Sequence, residues 1–298
     1  MTSAAITDDE LVALEDGVQL ALQRCDPSML DLLGEGEISL VLRAGSSGQW
    51  ACKRLPPFPS FESAERYGGT IDRYVAALRQ RSVDVVATDL RQVVDASGAT
   101  VLYCVQPVLP ASVQAVSVVG DDPSGAPTLL ADIVETIFAA VDEQVGLDAQ
   151  LSNWAVVDGR LRYFDVTTPL LRDQDGTSQI DTEVFLASMP WVLRPPVRRF
   201  VVPGIIDRYH EPRSVARDLA ANLIKEGLDD LVPVVVDEVN HRAVRPLTVE
   251  EVQRDRRSDA RTWELLQAIR RVDRVWQRRV RRRTYPFLLP TRAAGAEP

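Results

Sequence analysis

Residues 147–167, LDAQLSNWAVVDGRLRYFDVT, decide how the rest of the chain is read. Two short apolar runs, Trp154–Val157 and Leu161–Phe164, flank Asp158–Gly159, the dipeptide that two-residue hairpin turns favour because both central residues take positive φ. A hairpin brings its open ends together, away from the turn. Asn153 then starts one strand and Asp165 follows the other, so the two are expected to be neighbours. Two hard oxygen donors side by side suit Mg²⁺, which keeps waters and takes its remaining ligands from phosphates. Asp148, five residues before Asn153, can sit across from them and accept a proton from an attacking hydroxyl. Each of these residues alone is an ordinary turn or capping residue. Together they form a candidate reaction centre.

Upstream, two further features fall in a meaningful order. Gly34-Glu35-Gly36-Glu37-Ile38-Ser39-Leu40-Val41 opens a first hairpin, and its glycines would let backbone N–H groups approach a polyphosphate closely. A tight turn explains a lone GxG equally well, and no GK[ST] follows, so it is not a Walker A loop. Ala51-Cys52-Lys53 lies near the end of the paired strand. Of 34 basic residues only Lys53 and Lys225 are lysine. A lysine kept in so arginine-biased a chain suggests a place for a compact ammonium, where a planar guanidinium will not serve. From a strand beside a glycine loop it can reach the α- and β-phosphates of ATP.

The coarse pattern divides the chain into a small β-rich part and a larger helical part. A first helix carries Leu11, Leu14, Val18 and Leu22 at helical spacing. Strands are expected at Ile38–Leu42 and Gln49–Leu55 around the Gly45–Gly48 turn. A helix from Phe61 to about Arg81 follows, then strands at Val83–Ala87, Leu90–Asp95 and Thr100–Val105. Beyond Pro110 helices dominate: Thr128–Glu143, Asp181–Ala187, Ser214–Glu226 and Val249 to about Arg283. The expected fold is α+β and bilobal. Its N-lobe spans 1–105 and is a small antiparallel sheet with one helix beside the N-terminal one. A linker at 106–110 leads to a mainly helical C-lobe over 111–298, which holds the hairpin 148–165.

These residues resemble the protein kinase-like superfamily, in the style of aminoglycoside and other small-molecule phosphotransferases. Gly34 to Val41 is similar to the kinase glycine loop, with Ser39 in place of its third glycine. Ala51-Cys52-Lys53 matches the strand lysine, Asp148 to Asn153 the D-x-x-x-x-N catalytic loop, and Asp165 the metal-binding aspartate. The order fits, and the match runs through about residues 30 to 170. It departs at Gly146, where a histidine or similar residue usually stands two before the catalytic aspartate, and at Val166-Thr167, which replace Phe-Gly. No Ala-Pro-Glu motif is present, which argues against a conventional protein kinase. The resemblance implies an ATP- and Mg²⁺-dependent phosphotransferase acting on a hydroxyl or amine of a small molecule, natural product or peptide. A pseudokinase, binding nucleotide without transfer, is the alternative. The backbone of Gly34, Gly36 and Ser39 would cover the phosphates. Lys53 would hold them, oriented by Glu65 or, at the offset usual in protein kinases, Asp72. The adenine would lie against Val105 and its neighbours. Asp148 would be the catalytic base, with Asn153 and Asp165 the metal ligands.

Composition excludes several other classes. No apolar run approaches 18 residues and no secretory leader pattern opens the chain, so a soluble cytoplasmic protein is expected. Cys25, Cys52 and Cys104 form neither a disulfide framework nor a CxxC zinc site, and His210 and His241 lie in no hydrolase or metalloprotease motif. Net charge is −9, yet residues 254–292 carry 13 arginines against four acidic residues, leaving about −18 on the remainder. That basic helix also repeats Trp263, Leu266, Ile269, Val272, Trp276 and Val280, an apolar face to bury, so nucleic acid is not the expected partner. The segment Pro190–Pro203 is read as a packed connection.

Overall fold

The computed structural model describes residues 5–24, 26–35, 39–95, 98–186 and 194–257. Helix α1 (Asp8–Arg24) leads into strands β1 (Leu32–Glu35), β2 (Leu40–Ala44) and β3 (Trp50–Arg54). Helix α2 (Phe61–Gln80) follows, then β4 (Asp89–Val94) and β5 (Thr100–Pro107). All five strands join one antiparallel sheet in the order β1-β2-β3-β5-β4. Next come α3 (Ala115–Asp121), α4 (Ala126–Ala140), the hairpin β6 (Trp154–Val157) and β7 (Arg160–Tyr163), and α5 (Thr182–Leu186). After these stand α6 (Arg194–Phe200), α7 (Val202–Arg208), α8 (Pro212–Lys225), α9 (Val232–Asn240) and a helix α10 over 249–257. This is the α+β arrangement expected, a small antiparallel sheet beside a larger helical part.

Several expectations are corrected. Residues 83–87 form no strand. Their backbone pairs with the distant hairpin instead: Val86 N–H donates to the Tyr163 carbonyl (2.9 Å) and Tyr163 N–H to that of Asp84 (2.8 Å). Strand β1 and helices α3, α6, α7 and α9 are additions to the expected elements; β1 has no turn dipeptide such as Asp158–Gly159 to mark it. Strand β5 runs on to Pro107, two residues beyond the Thr100–Val105 expected for it. The arginine-rich segment beyond 257 and residues 190–193 lie outside the described residues.

Strand alternation sorts the two faces of the sheet. Leu42, Cys52, Tyr103 and Val105 bury against Leu11, Val18 and Leu22 of α1. Leu102 and Cys104 point the other way, into a core that runs through Tyr67, Ile71 and Tyr74 of α2 to Leu130, Trp154 and Leu219. Lys53, between Cys52 and Arg54, therefore faces α2 and the helical part.

Under α1 lies a buried polar cluster. Glu15 is 1% exposed and accepts from Arg54 Nε and Nη2, both at 2.7 Å. Tyr103 Oη donates to the same carboxylate at 2.6 Å, and Gln19 Nε2 at 2.7 Å. A carboxylate so buried is tolerable only because its lone pairs are filled, and removing it strands a buried guanidinium. Glu15→Ala is expected to cost about 3–5 kcal/mol in denaturant unfolding, whereas Glu15→Leu with Arg54→Met recovers most of that loss. A loss below about 1 kcal/mol for Glu15→Ala would mean that water reaches the cluster.

Candidate active site

The hairpin forms where the turn chemistry demands. Asp158 and Gly159 have φ of 53° and 71°, and Trp154 pairs with Tyr163 at the open end. Phe164 N–H donates to the Asn153 carbonyl at 3.1 Å, which fixes Asn153 beside the segment that carries Asp165. Asn153 spends its amide nitrogen on the Asp148 carbonyl (3.0 Å), and its carbonyl oxygen is thereby left for a cation or a donor.

Lys53 Nζ donates to Asp165 Oδ1 at 2.7 Å across 112 residues of sequence. The same oxygen accepts from Thr167 Oγ1 at 3.0 Å and Thr167 N–H at 3.4 Å. Burial works against the Asp165 charge, but the Lys53 ammonium and these hydrogen bonds outweigh it and hold the carboxyl below its ordinary range. Asp148 is driven the opposite way, up to about 8, by its burial first and then by the charges of Asp218 and Asp165. Its Oδ1 is buried with no hydrogen-bond partner among the described residues.

Two tyrosines of α2 hold both sides of this centre. Tyr67 Oη donates to the Thr167 carbonyl (2.9 Å) and Tyr74 Oη to that of Gly146 (3.0 Å). The departures noted in the motif follow from this packing. A Cβ on Gly146 would lie 2.8 Å from the Tyr209 carbonyl oxygen and 3.1 Å from His210 Cε1, so no side chain fits there. Val166 is fully buried, and Thr167 supplies the hydroxyl on Asp165.

The expected partners of Lys53 are corrected. Glu65 and Asp72 are both exposed, because the face of α2 that meets the core carries Tyr67, Ile71 and Tyr74. Asp165 takes their place. Val105 is also corrected as an adenine contact. It pairs with Cys52 on one side and Asp89 on the other, so its backbone belongs to the ladder and its side chain to the α1 face. Gly34 lies in β1 opposite Val41, Ser39 is buried, and Gly36 is outside the described residues.

Sequence reading missed the supports from α8. Asn222 Oδ1 accepts from Leu151 N–H (3.0 Å), and Asp218 Oδ2 from Gln150 Nε2 (3.3 Å). Both lie some 70 positions downstream, at a distance no local pattern reports. Gln106 Nε2 donates to the Phe164 carbonyl at 2.9 Å, a further link from the sheet to the hairpin.

The donor set fits a hard cation. Asp165 is held ionised, and Asn153 offers a carbonyl oxygen. Among the described residues no three His, Cys, Asp or Glu side chains converge as a metal site, so water and a ligand's phosphates would have to complete the shell, as Mg²⁺ accepts.

A family model described as "Family of unknown function (DUF6206)" matches residues 13–274. The chain belongs to that family. Among solved structures, this DUF6206 member is similar to WaaP in complex with acyl carrier protein, at 13% identity and TM-score 0.33, over 74% of this chain and 90% of that one. It is also similar to the MAP kinase LmaMPK10 from Leishmania major, at 12% identity and TM-score 0.32, over 80% and 77% of the two chains. No curated protein matches the sequence. Among the described residues, no helix is long and apolar enough to cross a membrane.

The raised Asp148 gives a pH signature. Between the ordinary aspartate pKa near ~4 and its own raised value, the folded form holds a proton that the unfolded form has lost. Its contribution to stability is therefore complete at the acid end of that window and declines as pH rises through it. Urea unfolding of ligand-free protein from pH 5 to 8 should show a decline that Asp148→Asn flattens. Parallel curves for the two proteins would contradict the shift.

Proposed function

We propose that this DUF6206 member is an ATP- and Mg²⁺-dependent phosphotransferase that moves the γ-phosphoryl group to a hydroxyl or amine of a small molecule, natural product or peptide. The observation that carries the reading is the contact of Lys53 with Asp165 beside an Asn153 amide locked to the Asp148 backbone. Lys53 comes from a strand, Asn153 and Asp165 from the two ends of one hairpin, and Asp148 from the loop before it, which supports the reading.

Lys53 can exchange its Asp165 contact for phosphate oxygens, since an ammonium serves as a mobile point charge. Asp165 and Asn153 would hold Mg²⁺, which when bound neutralises charge on the phosphates. Thr167 keeps the Asp165 carboxylate oriented through its hydroxyl. Asp148, in its ionised form, takes the proton from the acceptor as the new P–O or P–N bond forms. Positioning and electrostatics carry the barrier, and the protein forms no covalent intermediate.

Conversion of ATP to ADP, with water as the acceptor of last resort and then with pooled hydroxyl and amine acceptors, tests the reading. Asp148→Asn should lower turnover by about 10²–10⁴-fold while ATP affinity stays within about twofold. Turnover equal to wild type would overturn the role of Asp148. ATP binding with no ADP formed under any condition would favour the nucleotide-binding alternative without transfer.

A further inference from the structure

Beside the candidate centre, a groove of about 450 Å³ opens between α2 and residues 179–181. That is the size of a metabolite-binding cleft. Its walls are Arg66, Tyr67, Thr70 and Arg73 from α2, with Gln179, Ile180 and Asp181 opposite. Arg66 and Arg73 lie seven positions apart, two helical turns, and so share one face. Neither makes an ion pair with a carboxylate among the described residues, whereas Arg43, Arg54, Arg81 and Arg91 all do.

The side chains are arranged around that space. Arg73 Nη2 donates to Thr70 Oγ1 (3.0 Å) and to Gln179 Oε1 (3.1 Å), which holds the guanidinium across the groove. Gln179 is itself fixed by its Nε2 donating to Asp173 Oδ1 at 2.7 Å. Asp181, the carboxylate in the groove, accepts from the Glu183 N–H at 3.0 Å and makes no ion pair with either arginine. Tyr67 and Ile180 add an apolar wall.

We propose that this groove binds a small metabolite through an oxyanion, a phosphate ester or a carboxylate, gripped by Arg66 and Arg73, with its organic part against Tyr67 and Ile180. Guanidinium forks match the paired oxygens of such groups and bind them bidentately. The groove contains none of Lys53, Asp148, Asn153 and Asp165, and Tyr67, whose hydroxyl donates to the Thr167 carbonyl, lines it. It is thereby connected to the reaction centre, because the Thr167 hydroxyl bears on Asp165. A ligand that moves α2 therefore acts on the group that holds Lys53. Binding in the groove does not depend on phosphoryl transfer.

The test is calorimetric titration of the full chain, without nucleotide or Mg²⁺, with pyrophosphate and separately with citrate. One-to-one binding of either probe is expected. The tighter of the two identifies the oxyanion class. Arg66→Ala and Arg73→Ala should each weaken it at least tenfold, and Lys53→Ala should leave it within twofold. The Arg66 side chain makes no hydrogen bond among the described residues, and its carbonyl, which accepts from Thr70 Oγ1, is kept in alanine, so its variant is expected to fold even if that of Arg73 does not. Absence of binding by both probes would overturn the proposal. So would affinity unchanged in Arg66→Ala, or affinity lost in Lys53→Ala.

Discussion

The ion pair between Lys53 and Asp165 sets the geometry on which the candidate centre depends. Lys53 is anchored by its strand, paired with Val41 on one side and Cys104 on the other, and Asp165 by the hairpin and by Thr167. Bringing the two to 2.7 Å fixes the sheet against the helical part at one point. Both side chains keep about a fifth to a quarter of their surface in water, at 21% and 25%. A pair this accessible is modest as a source of stability. It can also be opened by a ligand, as a fully buried pair such as Glu15–Arg54 cannot.

Everything around that pair is tied down from two directions. Helix α2 lends two tyrosine hydroxyls, one to the carbonyl of Thr167, two residues after Asp165, and one to that of Gly146, two before Asp148. Helix α8 lends Asn222 and Asp218 to the loop between them. The loop 148–153 is held through the Asp148 carbonyl, the Leu151 N–H and the Asn153 carbonyl. The opposed shifts of Asp165 and Asp148 follow from this arrangement. Burial opposes the charge on both carboxyls; at Asp165 the Lys53 ammonium and two hydrogen bonds from Thr167 outweigh it, while at Asp148 the charges of Asp218 and Asp165 add to it.

What could be read in the sequence was what local chemistry determines. Asp158–Gly159 forces a tight turn, the turn forces Asn153 beside Asp165, and the arginine bias singles out Lys53. What could not be read depended on rotation and distance. Glu65 and Asp72 share a face of α2, but only the packing of Tyr67 and Tyr74 decides that this face meets solvent. Val105 lies in an apolar run that fits a strand end or a strand middle equally, and the register with Cys52 and Asp89 decides for the middle. The run 83–87 has strand composition, yet its partner is a hairpin some 80 residues away. Gly146 looked like a defect in a motif. It is the residue that lets the Tyr209 backbone approach.

Lys53, Asn153 and Asp165 are proposed together to make a site for a metal–nucleotide complex. Calorimetric titration of ATP with and without Mg²⁺, into wild type, Lys53→Ala and Asp165→Ala, measures it most directly. Binding that requires Mg²⁺ in the wild type and is lost in both variants is the expected result. Binding that is indifferent to Mg²⁺, or that survives both substitutions in folded protein, would contradict it.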